Sequence, residues 1–183
     1  MKKTLLMTAL FMLLVGCMSD NLNDKEKKIV GKWHYAKMET IEESDEDYSG
    51  AFTMELTTDY RSNKTQTGEG YFRIRLNVDE IEYVNTITLE YSISAKGTWS
   101  VEGSNLVEKY NEVNIDFNKA STIVNNEDDE VYIEAFKQHY ADLIPEIRNE
   151  LLKTSRDEII KLTDDELTTK DDEGEEVTYT RIE

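Results

Sequence analysis

Residues 86–101 read TITLEYSISAKGTWSV, and this stretch contributes most to the prediction of the fold. Apolar side chains occupy alternate positions from Ile87 to Ile93, and polar side chains lie between them. A two-residue period is typical of a β-strand that turns one face toward a core. The same parity continues to Val101, which exceeds the usual length of a strand, so we expect a bend or bulge near residues 95–97.

Segments on both sides of this stretch show the same alternation. A first strand begins near Gly31, and further strands are predicted at 52–56, 71–78, 113–117, 158–162, 166–170 and 176–182. The strand at 113–117 follows a slip in parity at residues 110–112. Because no linker rich in proline or serine divides the chain, we predict one mainly β domain, an antiparallel up-and-down barrel of about eight strands.

The period changes to three or four residues between about Asp129 and Thr154. The apolar positions of this segment are Tyr132, Phe136, Tyr140, Leu143, Ile147 and Leu151. They predict an amphipathic helix inserted before the last three strands. Pro145 removes a backbone donor there, so we expect either a kink or two helices with Pro145 in the first turn of the second. A short helix capped by Asp24 and ending at Lys28 is expected before the first strand.

The charge of the chain excludes one class of partner. Among 183 residues, 39 are Asp or Glu and 21 are Lys or Arg, which gives a formal net charge of −18. Nucleic-acid binding depends on Lys and Arg displacing counterions from phosphates, so we expect no nucleic-acid partner.

The chain has one cysteine, which permits no intramolecular disulfide.

The N-terminus has the pattern of an export signal. Two lysines precede the apolar residues 4–15, a segment too short to span a bilayer comfortably. The segment ends in Leu14-Val15-Gly16-Cys17, which resembles a bacterial lipobox. The resemblance implies a signal peptide at 1–16, a lipidated tether at 17–27 that anchors the protein to the membrane through Cys17, and a barrel domain at 28–183. Since Met18 follows the cysteine where many inner-membrane lipoproteins have aspartate, the expected location is the outer membrane, in either its periplasmic or its surface-exposed leaflet.

Catalytic signatures are scarce in the sequence. His34 and His139 belong to no metal-binding or nucleophile motif, and Cys17 would carry lipid. We therefore expect no enzyme activity, cofactor or metal site. The acidic runs 42–47 and 125–130 could supply oxygen ligands to calcium, but they lack the alternation and glycine of an EF-hand, and solvated loops are the alternative interpretation.

One pair of motifs resembles a known family. Gly31-Lys32-Trp33 begins the first strand and Arg181 lies in the last one. This arrangement is similar to the lipocalin and wider calycin signature, and residues 97–106 and 162–179 resemble lipocalin-like lipoproteins of Bacteroidetes. The resemblance implies that Arg181 stacks on Trp33 and closes the base of the barrel, a structural role. Lipocalins carry their helix after the eighth strand, whereas this chain carries it before the last three.

Small barrels either fill their interior with side chains or hold one small ligand. We expect a non-enzymatic binding protein for a small apolar or amphipathic molecule. The candidate lining residues are Tyr35, Met54, Phe72, Ile74, Leu89, Tyr91, Trp99 and Phe117. If the helix covers the open end as a lid, Phe136, Tyr140 and Leu143 are further candidates; it could instead lie along the outer wall. The alternative function is an envelope protein with a filled barrel that docks another envelope protein.

Overall fold

The computed structural model describes residues 22–42, 48–78, 86–122 and 129–182. In these ranges the chain forms eight strands and three helices. In chain order they are α1 (Asp24–Ile29), β1 (Gly31–Glu42), β2 (Tyr48–Tyr60), β3 (Thr65–Val78), β4 (Thr86–Glu102), β5 (Asn105–Thr122), α2 (Asp129–His139), α3 (Leu143–Leu151), β6 (Thr154–Leu162), β7 (Glu166–Lys170) and β8 (Glu176–Arg181).

The strands close into a ring. Each strand pairs antiparallel with the next one along the chain, and β8 returns to β1 through the pairs Trp33–Arg181 and His34–Thr180. This confirms the predicted antiparallel, up-and-down, mainly β architecture with eight strands. The helical insertion also lies before the last three strands, as predicted.

The strands differ in length, and this shapes the interior. Strands β1 to β5 have 12 to 18 residues, whereas β6, β7 and β8 have 9, 5 and 6. On its β5 side, strand β6 pairs only with Asn105–Lys109, at the start of β5. The ring is therefore complete at one end, which we call the base, and β1 to β5 continue beyond it as a five-stranded wall.

Two bulges lie between β4 and β5. Lys96 pairs with Glu112 and Gly97 with Tyr110, so Asn111 is an extra residue on β5. This bulge explains the predicted slip in parity and lies beside the position where a distortion was expected. A Cβ on Gly97 would lie 2.1 Å from the Lys109 carbonyl oxygen, so only glycine fits there. The second register shift follows Glu90 and was not predicted.

The buried apolar side chains form two groups. The base cluster consists of Ile29, Trp33, Tyr60, Trp99, Leu106 and Leu167. The wall cluster lies on the inner face of β3, β4 and β5 and consists of Phe72, Ile74, Leu76, Ile87, Leu89, Tyr91, Ile93, Ala95, Tyr110, Val113 and Ile115.

Helices α2 and α3 cover the wall cluster. Pro145 lies in the first turn of α3, so the two-helix alternative is correct. The side chains that pack on the wall cluster from this region are Ile133, Phe136, Tyr140, Ile144, Ile147, Leu151 and Leu152. The helices therefore replace the strand wall that β6 to β8 are too short to provide, rather than lying along the outer surface.

Helix α1 folds against the base. Its N-cap is Asn23, whose side chain accepts from the Glu26 N–H while the Glu26 carboxylate accepts from the Asn23 N–H. The assignment of Asp24 as the cap was therefore wrong by one residue. Ile29 is fully buried in the base cluster, and it anchors α1 there.

Candidate ligand-binding cavity

A cavity of about 240 Å³ lies inside the barrel and is lined by side chains of β1, β2, β5, β6 and β8 and of the end of α3. Alternation along each strand directs every second side chain into it. Its apolar lining consists of Met54, Leu56, Leu151 and Val177. Its polar lining consists of Tyr35, Thr58, Glu108, Tyr110, Ser155, Asp157 and Tyr179, with Glu150 and Lys153 at the rim. The lining is thus mixed, whereas the sequence led us to expect an apolar one.

The mouth of the cavity lies at the C-terminal end of α3. Glu150 and Lys153 border the cavity, and both side chains are largely exposed. Their charged groups form an ion pair of 2.5 Å. The positive charge at the rim is therefore already matched by a carboxylate.

Glu108 brings a carboxyl group into the interior. The residue is 8% exposed, and its Oε1 accepts a hydrogen bond of 2.8 Å from the hydroxyl of Tyr60, which is fully buried. Burial raises the pKa of Glu108 to about 7; the Tyr60 hydrogen bond opposes this rise, and the neighbouring Asp157 carboxylate adds to it. Near neutral pH, Glu108 is divided between its neutral and charged forms.

The amide of Gln66 lies close to this group. Gln66 is 1% exposed and favours the charged form of Glu108. Neither of its polar atoms makes a hydrogen bond to any residue that the structure describes. The Gln66 amide therefore keeps unused hydrogen-bonding capacity in the interior, which is uncommon for a buried polar group.

Asp157 and three tyrosines complete the polar part of the lining. Burial raises the pKa of Asp157 and those of Tyr110 and Tyr179, and the Glu108 charge adds to the rise at both tyrosines. The rings of Tyr35 and Tyr179 lie 5.6 Å apart, and the Tyr110 hydroxyl lies 3.4 Å from Thr58 Oγ1. Aromatic faces and carboxyl groups therefore share one small volume.

The predicted lining residues divide between this cavity and the packed core. Tyr35 and Met54 line the cavity. The other strand candidates of the wall, which are Phe72, Ile74, Leu89 and Tyr91, belong to the wall cluster. The ring of Phe72 stacks on Phe52 and on Tyr91, with centroid distances of 5.7 and 4.9 Å. This part of the barrel is filled by its own side chains.

Two aromatic candidates lie further from the cavity. Trp99 belongs to the base cluster, where its ring contacts Tyr60 edge to face at 5.4 Å. Phe117 is 41% exposed, and the Lys137 ammonium lies 4.7 Å from the centre of its ring. Neither residue lines the cavity, because Trp99 closes the base and Phe117 lies near the far end of β5.

The helical candidates also lie outside the cavity lining. Phe136 and Tyr140 pack on the wall cluster, and Leu143 is 37% exposed. The apolar helical residue that does line the cavity is Leu151. The helical region thus reaches the cavity through the end of α3 and not through the residues expected to form a lid.

Trp33 and Arg181 make the expected contact. The guanidinium carbon of Arg181 lies 4.2 Å from the centre of the Trp33 ring, and Trp33 is fully buried. Arg181 also donates to the carbonyl oxygens of Lys28, Val30 and Asp164. The pair joins α1, β1 and the β6–β7 turn at the base, which is a structural role.

The prediction from sequence missed the apolar lining residues Leu56, Leu151 and Val177 and most of the polar ones. Glu108 lies between Leu106 and Tyr110 with the same parity, so it points inward with them. That alternation was the available signal, but the predicted strand began only at residue 113. Asp157 was one residue outside the predicted start of its strand.

Other expectations concern residues with no place in the cavity. His34 lies on β1 and His139 ends α2 against the Tyr140 ring, and neither lines the cavity. Within the described ranges, no group of three or more His, Cys, Asp or Glu is placed to hold a metal ion. Cys17, the signal peptide and most of both acidic runs lie outside the described residues.

The sequence was compared with known proteins. No family model matches it, and no curated protein matches it. None of the described helices is both long and apolar enough to span a membrane. The geometry defines a class of protein only: a closed eight-stranded β-barrel with a partly filled interior and a cavity lined by β1, β2, β5, α3, β6 and β8.

Proposed function

We propose that this chain is a lipid-anchored protein of the cell envelope that binds a small amphipathic molecule in the barrel cavity, with no catalytic step and no cofactor. The observation that supports this proposal is the cavity of about 240 Å³ with an apolar part and a polar part. Small-molecule sites characteristically combine an apolar lining with a few polar groups. The volume equals that of about eight water molecules, so the ligand is small.

The proposed location rests on the N-terminal sequence. The lipobox-like segment ending in Cys17 supports a lipid anchor, since each buried acyl CH₂ contributes about 0.8 kcal/mol of membrane affinity. Met18, which follows the cysteine where many inner-membrane lipoproteins have aspartate, supports the outer membrane. The lipocalin-like assignment is supported by the stacked pair Trp33 and Arg181 at the closed base. With the barrel on a lipid tether, the cavity would collect its ligand in the envelope.

The second candidate function is an interaction with another envelope protein. The wall cluster and the helices that cover it fill a large part of the barrel. In this alternative the small cavity is a packing defect, and the acidic outer surface docks the partner.

The test combines identification of a ligand with a variant that fills the cavity. A native mass spectrum of protein purified from its own envelope should show the added mass of a small ligand. The neutral probe indole, measured by ligand-observed NMR, should bind the wild type and lose roughly tenfold in affinity in Met54→Phe, which occupies part of the cavity. The matched control is Met38→Phe, because Met38 is 72% exposed on the same pair of strands.

The outcomes separate the two functions. Loss of indole binding in Met54→Phe, with an unchanged melting temperature, supports a ligand cavity. Equal binding by both variants, or a co-purified protein in place of a small ligand, would favour the interaction function.

A further inference from the structure

Two carboxyl groups lie inside one small cavity without a cationic partner. Glu108 on β5 pairs with Ser155 on β6, and Asp157 lies two residues further along β6 and also lines the cavity. Among the described residues, no Lys or Arg forms an ion pair with either carboxyl group. Lys153 borders the cavity, but its ammonium pairs with Glu150.

The carboxyl groups restrict the kind of ligand that fits. An anionic ligand would be repelled by both of them, and a purely apolar ligand would remove their remaining water without replacing its hydrogen bonds. A ligand with an ammonium group would supply the missing opposite charge and hydrogen-bond donors. The faces of Tyr35 and Tyr179 add a surface that attracts cations.

We propose, resting on the binding function above, that the cavity takes a small amphipathic amine, whose ammonium group pairs with Glu108 and Asp157 while its hydrocarbon part lies against the apolar lining. The carboxyl groups come from β5 and β6, whereas the apolar lining comes from β2, the end of α3 and β8. A single cavity therefore offers both halves of such a ligand a matching surface.

The protonation of Glu108 adds a consequence for pH. Of the titratable groups around Glu108, Asp157 of β6 raises the pKa of Glu108 and the hydrogen bond from Tyr60 of β2 lowers it. Glu108 in turn raises the pKa of Tyr110 on its own strand and of Tyr179 on β8. Since the pKa of Glu108 is about 7, an ammonium ligand must displace a proton from it below that pH. Its affinity should rise roughly tenfold per pH unit below the pKa and level off above it.

The experiment compares three probes of similar shape and different charge by titration calorimetry on the mature protein. Benzylamine is the cation, benzyl alcohol the neutral isostere and benzoate the anion. At about pH 8 we expect benzylamine to bind roughly tenfold more tightly than benzyl alcohol, and benzoate to bind least. At about pH 6 the preference for the amine should fall roughly tenfold, and benzyl alcohol should bind equally at both values.

Variants identify the group responsible. Glu108→Gln keeps the acceptor for Tyr60. It should abolish the pH dependence near pH 7 and reduce the preference for the amine to the part that Asp157 supplies. The matched control is Glu112→Gln, because Glu112 is an exposed residue of the same strand. Asp157→Asn provides a second variant at the cavity and should weaken benzylamine binding in the same direction.

The outcomes distinguish this inference from the proposed function. Benzyl alcohol binding as tightly as benzylamine, or an amine preference that is as large in Glu108→Gln as in the wild type, would overturn the inference. Binding of indole without binding of benzylamine would overturn it and leave the binding function intact. Failure of every probe, with no small ligand in the native mass spectrum, would overturn both.

Discussion

Glu108 is the residue at which burial and charge conflict most strongly. The side chain is 8% exposed, and burial raises its pKa from 4.5 to about 7. A raised pKa means that the folded protein holds a proton that the unfolded chain releases. The associated stability is fully present below about pH 4.5 and is lost as the pH rises through about 7.

The first prediction concerns this pH dependence. Replacing Glu108 with Gln removes the titration, so the free energy of unfolding of the variant relative to the wild type should increase by about 3 kcal/mol between pH 4.5 and 8. Urea unfolding at several pH values measures this difference. Glu112→Gln is the control, and its free energy of unfolding should follow the same pH profile as that of the wild type. Parallel pH profiles for Glu108→Gln and the wild type would show that the carboxyl group is not buried.

Trp33 is the second residue on which the structure depends. It is fully buried under Arg181, and its indole N–H donates to the Ile29 carbonyl oxygen at 2.7 Å. Trp33→Ala leaves a cavity at the closed base and should cost roughly 3 to 5 kcal/mol of stability. Thermal unfolding measures the loss, and Met38→Ala at an exposed site is the control. A melting temperature unaffected by Trp33→Ala would contradict the stacked base.

At the scale of elements, the helical pair replaces a missing part of the wall. Strand β6 pairs with only the first residues of β5, so beyond Lys109 this edge of β5 has no partner strand in the part of the chain that the structure describes, and the inner face of the wall is open on that side. Apolar side chains of α2 and α3 cover that face. Because a buried apolar face must pack against another element, the shortness of the last three strands requires such a cover.

The prediction for these helices compares Phe136 with Leu151. Phe136 packs on the wall cluster, so Phe136→Ser should reduce the free energy of unfolding by more than it reduces the free energy of indole binding. Leu151 lines the cavity, so Leu151→Ala should change the free energy of indole binding by at least as much as it changes the free energy of unfolding. Thermal unfolding and ligand-observed NMR on both variants measure the two effects. Greater loss of binding in Phe136→Ser would restore the interpretation of α2 as a lid.

For the whole molecule, the prediction concerns its attachment to the membrane. Cys17→Ser removes the acceptor of the lipid, so the variant should no longer partition into detergent with the lipidated protein. Fractionation followed by a carbonate wash measures this, and Cys17 is the one cysteine in the chain. Retention of Cys17→Ser in washed membranes would contradict the lipid anchor.

The closed barrel shows how much of the fold could be predicted from sequence. Alternation in 86–101 and in the other strands indicated which side chains face inward. The turn residues at 163–165 and 171–174 indicated that the last three strands form an antiparallel meander. The slip at residues 110–112 even located the Asn111 bulge. These features were predictable because the two-residue period and local turn chemistry are properties of short segments.

The candidate site was less predictable. Tyr35 and Met54 line the cavity as expected, but Phe72 and Leu89 have the same inward parity and lie in the packed core. Parity states which face of a sheet a side chain occupies, but it does not state how much volume remains opposite that face. That volume depends on strand lengths and on where the helices pack.

By itself, the sequence of this protein determined a mainly β domain, the inward and outward faces of its strands, the helical insertion with its break near Pro145, and the signal-like N-terminus. The tertiary structure decided where the barrel is filled and where it stays open, and it brought Glu108 and Asp157 from neighbouring strands into the same cavity. The physical reason is that alternation is imposed by each strand's own backbone, whereas free volume and the burial of a charge arise only from contacts between elements distant in the chain.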